Sequence, residues 1–118
     1  MITFTPALQI AITDPLILPQ AASAGNQPIA CPISSGLQEA VLAPGASSVA
    51  LPFPIGLTTA KVIYIAAIGT SDLIVNIGGT PFAMSVPAGQ GVFLYGLTSA
   101  QVSLSSALGG EVQFTIGG

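Results

Sequence analysis

Apolar and polar residues alternate along much of the chain, in stretches that recur roughly every ten residues. In 111–116, Val112, Phe114 and Ile116 alternate with Glu, Gln and Thr, the period-two pattern of a strand with one buried face. Helical periodicity is nearly absent. Short strands separated by glycine-containing turns are typical of sandwiches, so we predict an all-β, antiparallel, jelly-roll-like β-sandwich. The predicted strands are 2–5, 8–13, 28–33, 37–42, 48–53, 60–68, 72–77, 82–86, 91–95, 101–106 and 111–116.

The chain also contains an internal repeat. Residues 56–69 and 96–109 align without gaps at an offset of 40, with seven identities in fourteen positions. Residues 72–79 match 111–118 at an offset of 39. Two copies are too few for a solenoid. We therefore predict a duplicated three-strand unit that forms two related halves of one sandwich. Chance matches between segments of similar β composition are the alternative.

The two copies differ on one predicted strand face. In the gapless alignment, Ile63 and Ile65 coincide with Ser103 and Ser105. The first copy would then present an extra apolar face, which a subunit or capsid contact would explain. Ile63 and Ile65 are therefore candidate interface residues. A central strand buried within the monomer is the alternative explanation.

Proline and glycine divide the chain into two parts. Eight of the ten prolines lie in the first 54 residues, and eleven of the fourteen glycines follow residue 55. We expect N-terminal strands and a proline-rich extended segment in 1–40, and a compact sandwich in 41–118 with halves 41–79 and 81–118. Together they form one structural domain.

Residues 15–36 are the candidate for an ordered arm or a long crossover connection, because proline is confined to sheet edges and irregular extended segments. Pro19, Pro28 and Pro32 within this stretch are candidate docking residues. A simple surface loop is the alternative.

The supply of charged and metal-binding residues excludes several functions. Charged residues make up 4% of the chain, against about 25% in typical proteins. One Lys and no Arg cannot displace the counterions of nucleic acids. With no His and one Cys, neither zinc or copper sites nor His-dependent catalytic sites can form. We expect no enzyme, no cofactor, no metal and no small-molecule substrate.

A few residues have more than one interpretation. Cys31 is expected to be a small buried apolar residue. Asp72 and Glu111 follow equivalent glycine turns, where turn chemistry is expected and a cation bound between the repeats is the alternative. Four aromatic residues are expected mostly in the core; they are Tyr64, Tyr95, Phe82 and Phe93. The alternative, a carbohydrate platform, would require exposed aromatic residues, and Trp, its usual residue, is absent.

Membrane and export signals are not predicted. Residues 49–69 are long and apolar enough to be considered as a membrane span, but they contain two prolines and Lys61, and their apolar part favours a strand. The N-terminal stretch carries no basic residue and is interrupted by polar ones, unlike a signal peptide. We expect synthesis in a cytoplasm and no membrane association.

The composition itself predicts a partner. Five charged residues must serve a surface that other proteins cover with Lys, Glu, Arg and Asp, and few charges protect the strand edges from pairing. A stable homo-oligomer or a larger assembly would cover such a surface. Its contacts would rely on packing and hydrogen bonds, so salt should affect them little.

The segment TAKVIYIAAIGTSDLIVNIGGTPFAMSVPAGQGVFLYGLTSAQVSL resembles small β-sandwich proteins of tailed-bacteriophage particles, including capsid decoration (cement) proteins. The resemblance covers about residues 49–118 and does not include 1–40. It implies a trimeric or otherwise symmetric accessory protein on the surface of an icosahedral head, with the major capsid protein or another virion protein as its partner.

Three functions follow as hypotheses. The first is a virion structural protein of the capsid decoration type, made in the host cytoplasm and located on the virion surface. The second is a head-fibre, tail or receptor-binding β-module of a phage particle. The third is a cellular surface or filament subunit, which would require an export route.

Overall fold

The structure is a computed structural model that describes residues 2–5, 8–12, 20–24, 28–78 and 82–118. This part of the chain contains strands and no helix, and every ladder is antiparallel. The all-β antiparallel prediction is confirmed. The strands are β1 (Ile2–Phe4), β2 (Leu8–Ile12), β3 (Gln20–Ala24), β4 (Ile29–Cys31), β5 (Gln38–Leu42), β6 (Ala46–Ala50), β7 (Val62–Ala67), β8 (Leu73–Ile77), β9 (Phe82–Val86), β10 (Gly91–Leu94), β11 (Val102–Ser106) and β12 (Gly110–Gly117).

Two four-stranded sheets form the sandwich. Sheet I has the strand order β10-β7-β12-β5, and sheet II has the order β6-β11-β8-β9. Their inner faces share one apolar core, to which both central pairs of strands contribute. The buried core residues are Leu42, Leu51, Ala60, Ile63, Ile65, Ala67, Leu73, Val75, Val86, Leu94, Val102, Leu104, Val112, Phe114 and Ile116.

The central strand β7 is apolar on both faces because both faces are covered. Ile63 and Ile65 point into the core, and each is 0% exposed. Neither side chain is therefore available to a subunit or capsid interface, and that assignment is corrected. The alternative, a central strand buried within the monomer, is what the structure shows.

The two sheets are related by an exchange of strands. The first repeat copy supplies β6, β7 and β8, and the second supplies β10, β11 and β12. In sheet I, β7 of the first copy lies between β10 and β12 of the second copy. In sheet II, β11 of the second copy lies between β6 and β8 of the first copy. The fourth strands, β5 and β9, immediately precede the two copies. This order favours the jelly-roll-like and duplicated-unit interpretations, which stay predictions.

The central ladders have equivalent registers. In sheet I, Ile63 pairs with Ile116. Adding 39 to the first number and subtracting 39 from the second gives Val102 and Ile77, which pair in sheet II. All four pairs of the β11–β8 ladder correspond to pairs of the β7–β12 ladder in this way. The offset of 39 therefore relates both halves.

The Gly-Leu-Thr segments of the two copies meet across the sandwich. Thr59 and Thr98 form an isolated antiparallel bridge. Beside it, the Ala60 N–H donates to the Leu97 carbonyl at 2.9 Å and the Ser99 N–H donates to the Thr58 carbonyl at 3.1 Å. An offset of 39 converts the first hydrogen bond into the second. The repeated motif thus joins the two halves at one end of the sandwich.

The gapless sequence alignment is therefore displaced by one residue within the strands. It equates Ile63 with Ser103, whereas Ile63 faces the core and Ser103 lies on the outer face of sheet II. The structural equivalent of Ile63 is Val102. Because side chains alternate with a period of two, a shift of one residue exchanges the two faces of a strand. The inferred contrast between isoleucines and serines on one face is wrong for this reason.

Two short ribbons precede the sandwich in the chain. β1 pairs with β4 to form the first ribbon, and β2 pairs with β3 to form the second ribbon. β3 falls in the stretch 15–36, where only an arm, a crossover or a loop was expected besides the strand at 28–33. The described parts of that stretch are thus largely paired strands.

The register can be tested with neighbouring residues of β11. We expect Leu104→Ala to lower the free energy of unfolding by about 3 kcal/mol, because it leaves a cavity in the core. Ser103→Ala on the outer face should change it by less than about 0.5 kcal/mol. Urea unfolding followed by circular dichroism measures both. Equal losses from the two variants would contradict the assignment of faces.

Candidate functional site

The outer face of sheet I is apolar at its centre. Val62 and Ala66 of β7 are buried although neither belongs to the core between the sheets. The first ribbon lies against this face at Gly117 of β12. Gly117 is the register partner of Val62. A Cβ atom at Gly117 would lie 2.7 Å from Cε2 of Phe4 and 2.8 Å from Sγ of Cys31. Only glycine allows this close approach of the ribbon to β12.

The segment that follows the first ribbon extends its attachment along β12. Ile33 and Gly118 exchange two backbone hydrogen bonds of 3.0 and 2.9 Å. The Ser35 N–H donates to the Ile116 carbonyl at 2.9 Å, and the Ser35 Oγ accepts from the Ile116 N–H at 3.0 Å. The ribbon is thus tied to the C-terminal strand through both backbone and side-chain bonds.

Cys31, the last residue of β4 in the first ribbon, is 0% exposed. Burial raises the pKa of its thiol, and the positive charge of Lys61 lowers it to a smaller extent. The thiol therefore stays protonated and unreactive near neutral pH. This matches the expectation of a small buried apolar residue. The Lys61 ammonium itself donates to the Ala30 carbonyl at 3.1 Å.

An aromatic cleft opens beside the ribbon on the same outer face. Its walls are Phe4, Tyr64 and Phe93, with Thr3 and Thr5 along the ribbon side. Tyr64 and Phe93 are register partners on β7 and β10, and their ring centroids are 5.2 Å apart with the planes tilted by 39°. Such a tilted pair is a favourable aromatic arrangement. We call this feature the aromatic cleft.

The expectation that the aromatic residues are core residues is wrong for three of them. Tyr64 is half-buried on the outer face, Phe93 is 40% exposed and Tyr95 is 52% exposed. The side chain of Phe82 lies outside the described residues. Alternation places Val92 inward and Phe93 outward on β10, so the strand register could have shown this. Large exposed aromatic surface is informative, because most soluble proteins bury it.

The outer face of sheet II has a different character. Asn76 donates through Nδ2 to the Ser105 Oγ at 3.1 Å. Ser103 lies on the same face, and so does Ile74, which is 37% exposed. The outer face of sheet I carries Tyr64 and Ala66 at the positions equivalent to Ser103 and Ser105.

A second apolar area lies at the β7–β8 turn. One groove beside it is lined by Glu39, Ala40, Val41, Ile68 and Glu111. Another is lined by Thr70, Ser71, Asp72, Ile74, Ser85, Ala107 and Leu108. Val41 and Leu108 are 77% and 78% exposed. We call Val41 and Ile68, which line the first groove, the turn surface; Ile74 and Leu108 line the second groove, which shares no residue with the first.

The turn surface adjoins an open sheet edge. Among the described strands, β5 has β12 as its one neighbour, and Gln38 to Val41 are all exposed along it. Glu39 is its one charged residue. A sheet edge with so little charge is a template for pairing with another chain.

The two repeat-related acids, Asp72 and Glu111, have different surroundings. Asp72 accepts a hydrogen bond through Oδ1 from the Ala88 N–H at 3.0 Å, so it links the β7–β8 turn to the β9–β10 turn. Glu111 is exposed. Within the described residues, no three His, Cys, Asp or Glu side chains lie close enough together to hold a metal ion.

Two of the three predicted docking prolines lie in the described part of the chain, and both are exposed. Pro28 and Pro32 are exposed at the two ends of β4, and Pro19 lies outside the described residues. No helix in the part of the chain that the structure describes is long and apolar enough to cross a membrane.

Comparison with family models, with curated proteins and with solved structures finds no match to this chain.

The contact between the first ribbon and β12 can be tested at Gly117. We expect Gly117→Ala to lower the free energy of unfolding by about 1–3 kcal/mol and to accelerate labelling of the Cys31 thiol, because the added methyl group would displace Phe4 and Cys31. Gly110→Ala in the same strand is the control, since its Cβ would meet no atom closer than 3.7 Å. Unchanged labelling in Gly117→Ala would show that the ribbon does not lie there.

Proposed function

We propose that this chain is a virion structural protein: a capsid decoration or cement protein that binds the outer surface of an icosahedral phage head and stabilises it. It acts as a symmetric homo-oligomer, with a trimer favoured, and its partner is the major capsid protein or another virion protein. Its role is mechanical and not catalytic.

The character of the surface carries this proposal. Ten large apolar side chains are exposed in the described part of the chain, against four charged ones. Charge is what normally keeps a free domain from associating, and obligate interfaces are more apolar than transient ones. The exposed apolar residues are Ile33, Leu37, Val41, Val49, Ile55, Ile68, Ile74, Phe93, Tyr95 and Leu108.

The fold supports the same proposal. A sandwich of two four-stranded sheets in this exchanged order is the arrangement of jelly rolls, which occur in viral capsid proteins and in lectins. Jelly-roll topology and duplication of a three-strand unit are part of the proposal. The fold alone does not decide a function, so the surface argument remains the stronger support.

Attachment would use the segments outside the two large sheets. Pro28 and Pro32 are exposed on the first ribbon, and the second ribbon pairs only with itself among the described strands. An isolated two-stranded ribbon is marginally stable in water. Contact with the shell or with a neighbouring copy would stabilise it, which supports docking through 15–36.

Stabilisation of the head follows from where such a subunit would sit. A protein that binds across the junction of capsomers must be released before the junction can open. The free energy of its apolar contacts then adds to the barrier for rupture of the shell. Because few charged groups are present, this contribution should persist at high salt.

A head-fibre, tail or receptor-binding module is the second candidate. The aromatic cleft favours it, because a concave aromatic site with a few polar groups is typical of ligand sites. Such a module would be present in few copies per particle. No observation favours the cellular surface or filament subunit.

Copy number in purified particles separates these functions. We expect quantitative mass spectrometry to find this chain in a fixed ratio to the major capsid protein, matching positions of the head lattice. Particles made without it should rupture at a lower temperature, and adding the purified protein back should restore the difference. Absence from particles would contradict the proposal, and a few copies per particle would favour the second candidate.

A further inference from the structure

We propose that the aromatic cleft is a binding site for one neutral pyranose ring, such as the terminal sugar of a surface glycan. This inference is independent of the role in the capsid. It rests on Thr3, Phe4, Thr5, Tyr64 and Phe93, which line one open cleft of about 270 Å³.

The walls of the cleft fit the apolar face of a sugar. A pyranose ring presents C–H groups on its faces and hydroxyl groups around its rim. The faces of aromatic rings carry partial negative charge, so they attract the weakly positive C–H groups. Tyr64 and Phe93 form a tilted pair at 5.2 Å, and Phe4 also lines the cleft. A flat ring with C–H groups on its face can therefore stack against this aromatic surface.

The polar groups of the cleft fit the rim of a sugar. Thr3, Thr5 and Tyr64 line the site and each carries a hydroxyl group; within the described part of the chain, no hydrogen bond joins any of these hydroxyls to another side chain or to the backbone. Each hydroxyl can donate and accept. A few convergent polar groups on apolar walls fix the orientation of a bound ligand. A sugar would supply the matching hydroxyls.

The electrostatics of the cleft select a neutral ligand. Among the described residues, no charged side chain lines it, so an anionic sugar or a phosphate would find no counter-charge there. Aromatic walls also suit quaternary ammonium ligands. However, no carboxylate among the described residues lines the cleft to balance a cationic ligand, and the single Lys of the chain, Lys61, donates to the carbonyl of Ala30, which is the register partner of Thr3.

The tight packing around the site keeps the aromatic walls in place. A Cβ at Gly91 would lie 3.0 Å from Cε2 of Tyr64, so the Tyr64 ring rests on the bare backbone of β10. Phe4 is held by its close approach to Gly117. Preorganised walls reduce the cost of ordering on binding. A site of this size for one ring predicts a dissociation constant on the order of millimolar.

Saturation-transfer NMR on the intact protein tests the site. The probes are methyl glycosides of glucose, galactose, mannose and N-acetylglucosamine, with tetramethylammonium and sialic acid as charged comparisons. We expect at least one neutral glycoside to bind, with its C–H face receiving the transfer. Phe93→Ala should weaken that binding at least tenfold. Tyr95→Ala is the matched control, because Tyr95 is exposed near Phe93 but does not line the cleft, and it should leave the affinity within twofold of wild type.

Several results would overturn the inference. Binding of tetramethylammonium or sialic acid without any neutral glycoside would show a different ligand chemistry. Equal effects of Phe93→Ala and Tyr95→Ala would show that the cleft is not the site. Dissociation of an oligomer by Phe93→Ala, without binding of any glycoside to wild type, would identify the cleft as a subunit contact. Circular dichroism of both variants confirms that each comparison is made on folded protein.

Discussion

The matched registers of the two central ladders are the constraint on which the structure depends. β7 pairs with β12 and β11 pairs with β8 in registers that an offset of 39 interconverts. These registers turn Ile63, Val102 and their neighbours toward one shared core. A slip of one residue in either ladder would turn a full set of apolar side chains outward. With almost no charged residues on the strands, packing and backbone hydrogen bonds select the register, with a side-chain hydrogen bond from Asn76 to Ser105 across the β8–β11 ladder.

The arrangement of the core explains what is left on the surface. Once the aliphatic residues of both sheets fill the space between them, Phe93 and Tyr95 remain outside. Sheet I is apolar on its outer face and receives the first ribbon, whereas sheet II carries hydroxyls and amides there. The ribbon covers the outer face of sheet I only in part. The aromatic cleft lies on this outer face beside the ribbon. The open edge of β5, next to the turn surface, is a second exposed area.

Alternation and turn residues predict the sandwich strands well, because the buried face of each of those strands requires an apolar residue at every second position. β12 is an example, with Val112, Phe114 and Ile116 buried as predicted. β3 was missed because its sequence, QAASA, has no large apolar residue to show a period of two. The alignment at an offset of 40 was misleading because it was set by the identical Gly, Leu and Thr residues of the loop. The strands that follow the loop correspond at an offset of 39. The cleft could not be predicted, since it depends on Phe4 approaching Gly117 from far along the chain.

Sedimentation equilibrium of the purified protein at low and high salt tests the central claim most directly. That claim is that a surface with so few ionic groups is built to be covered by other copies or by a shell. The account predicts a closed oligomer of defined size whose association is nearly the same at both salt concentrations. A monomer that persists at high protein concentration, or an oligomer that dissociates steeply as salt is added, would contradict it.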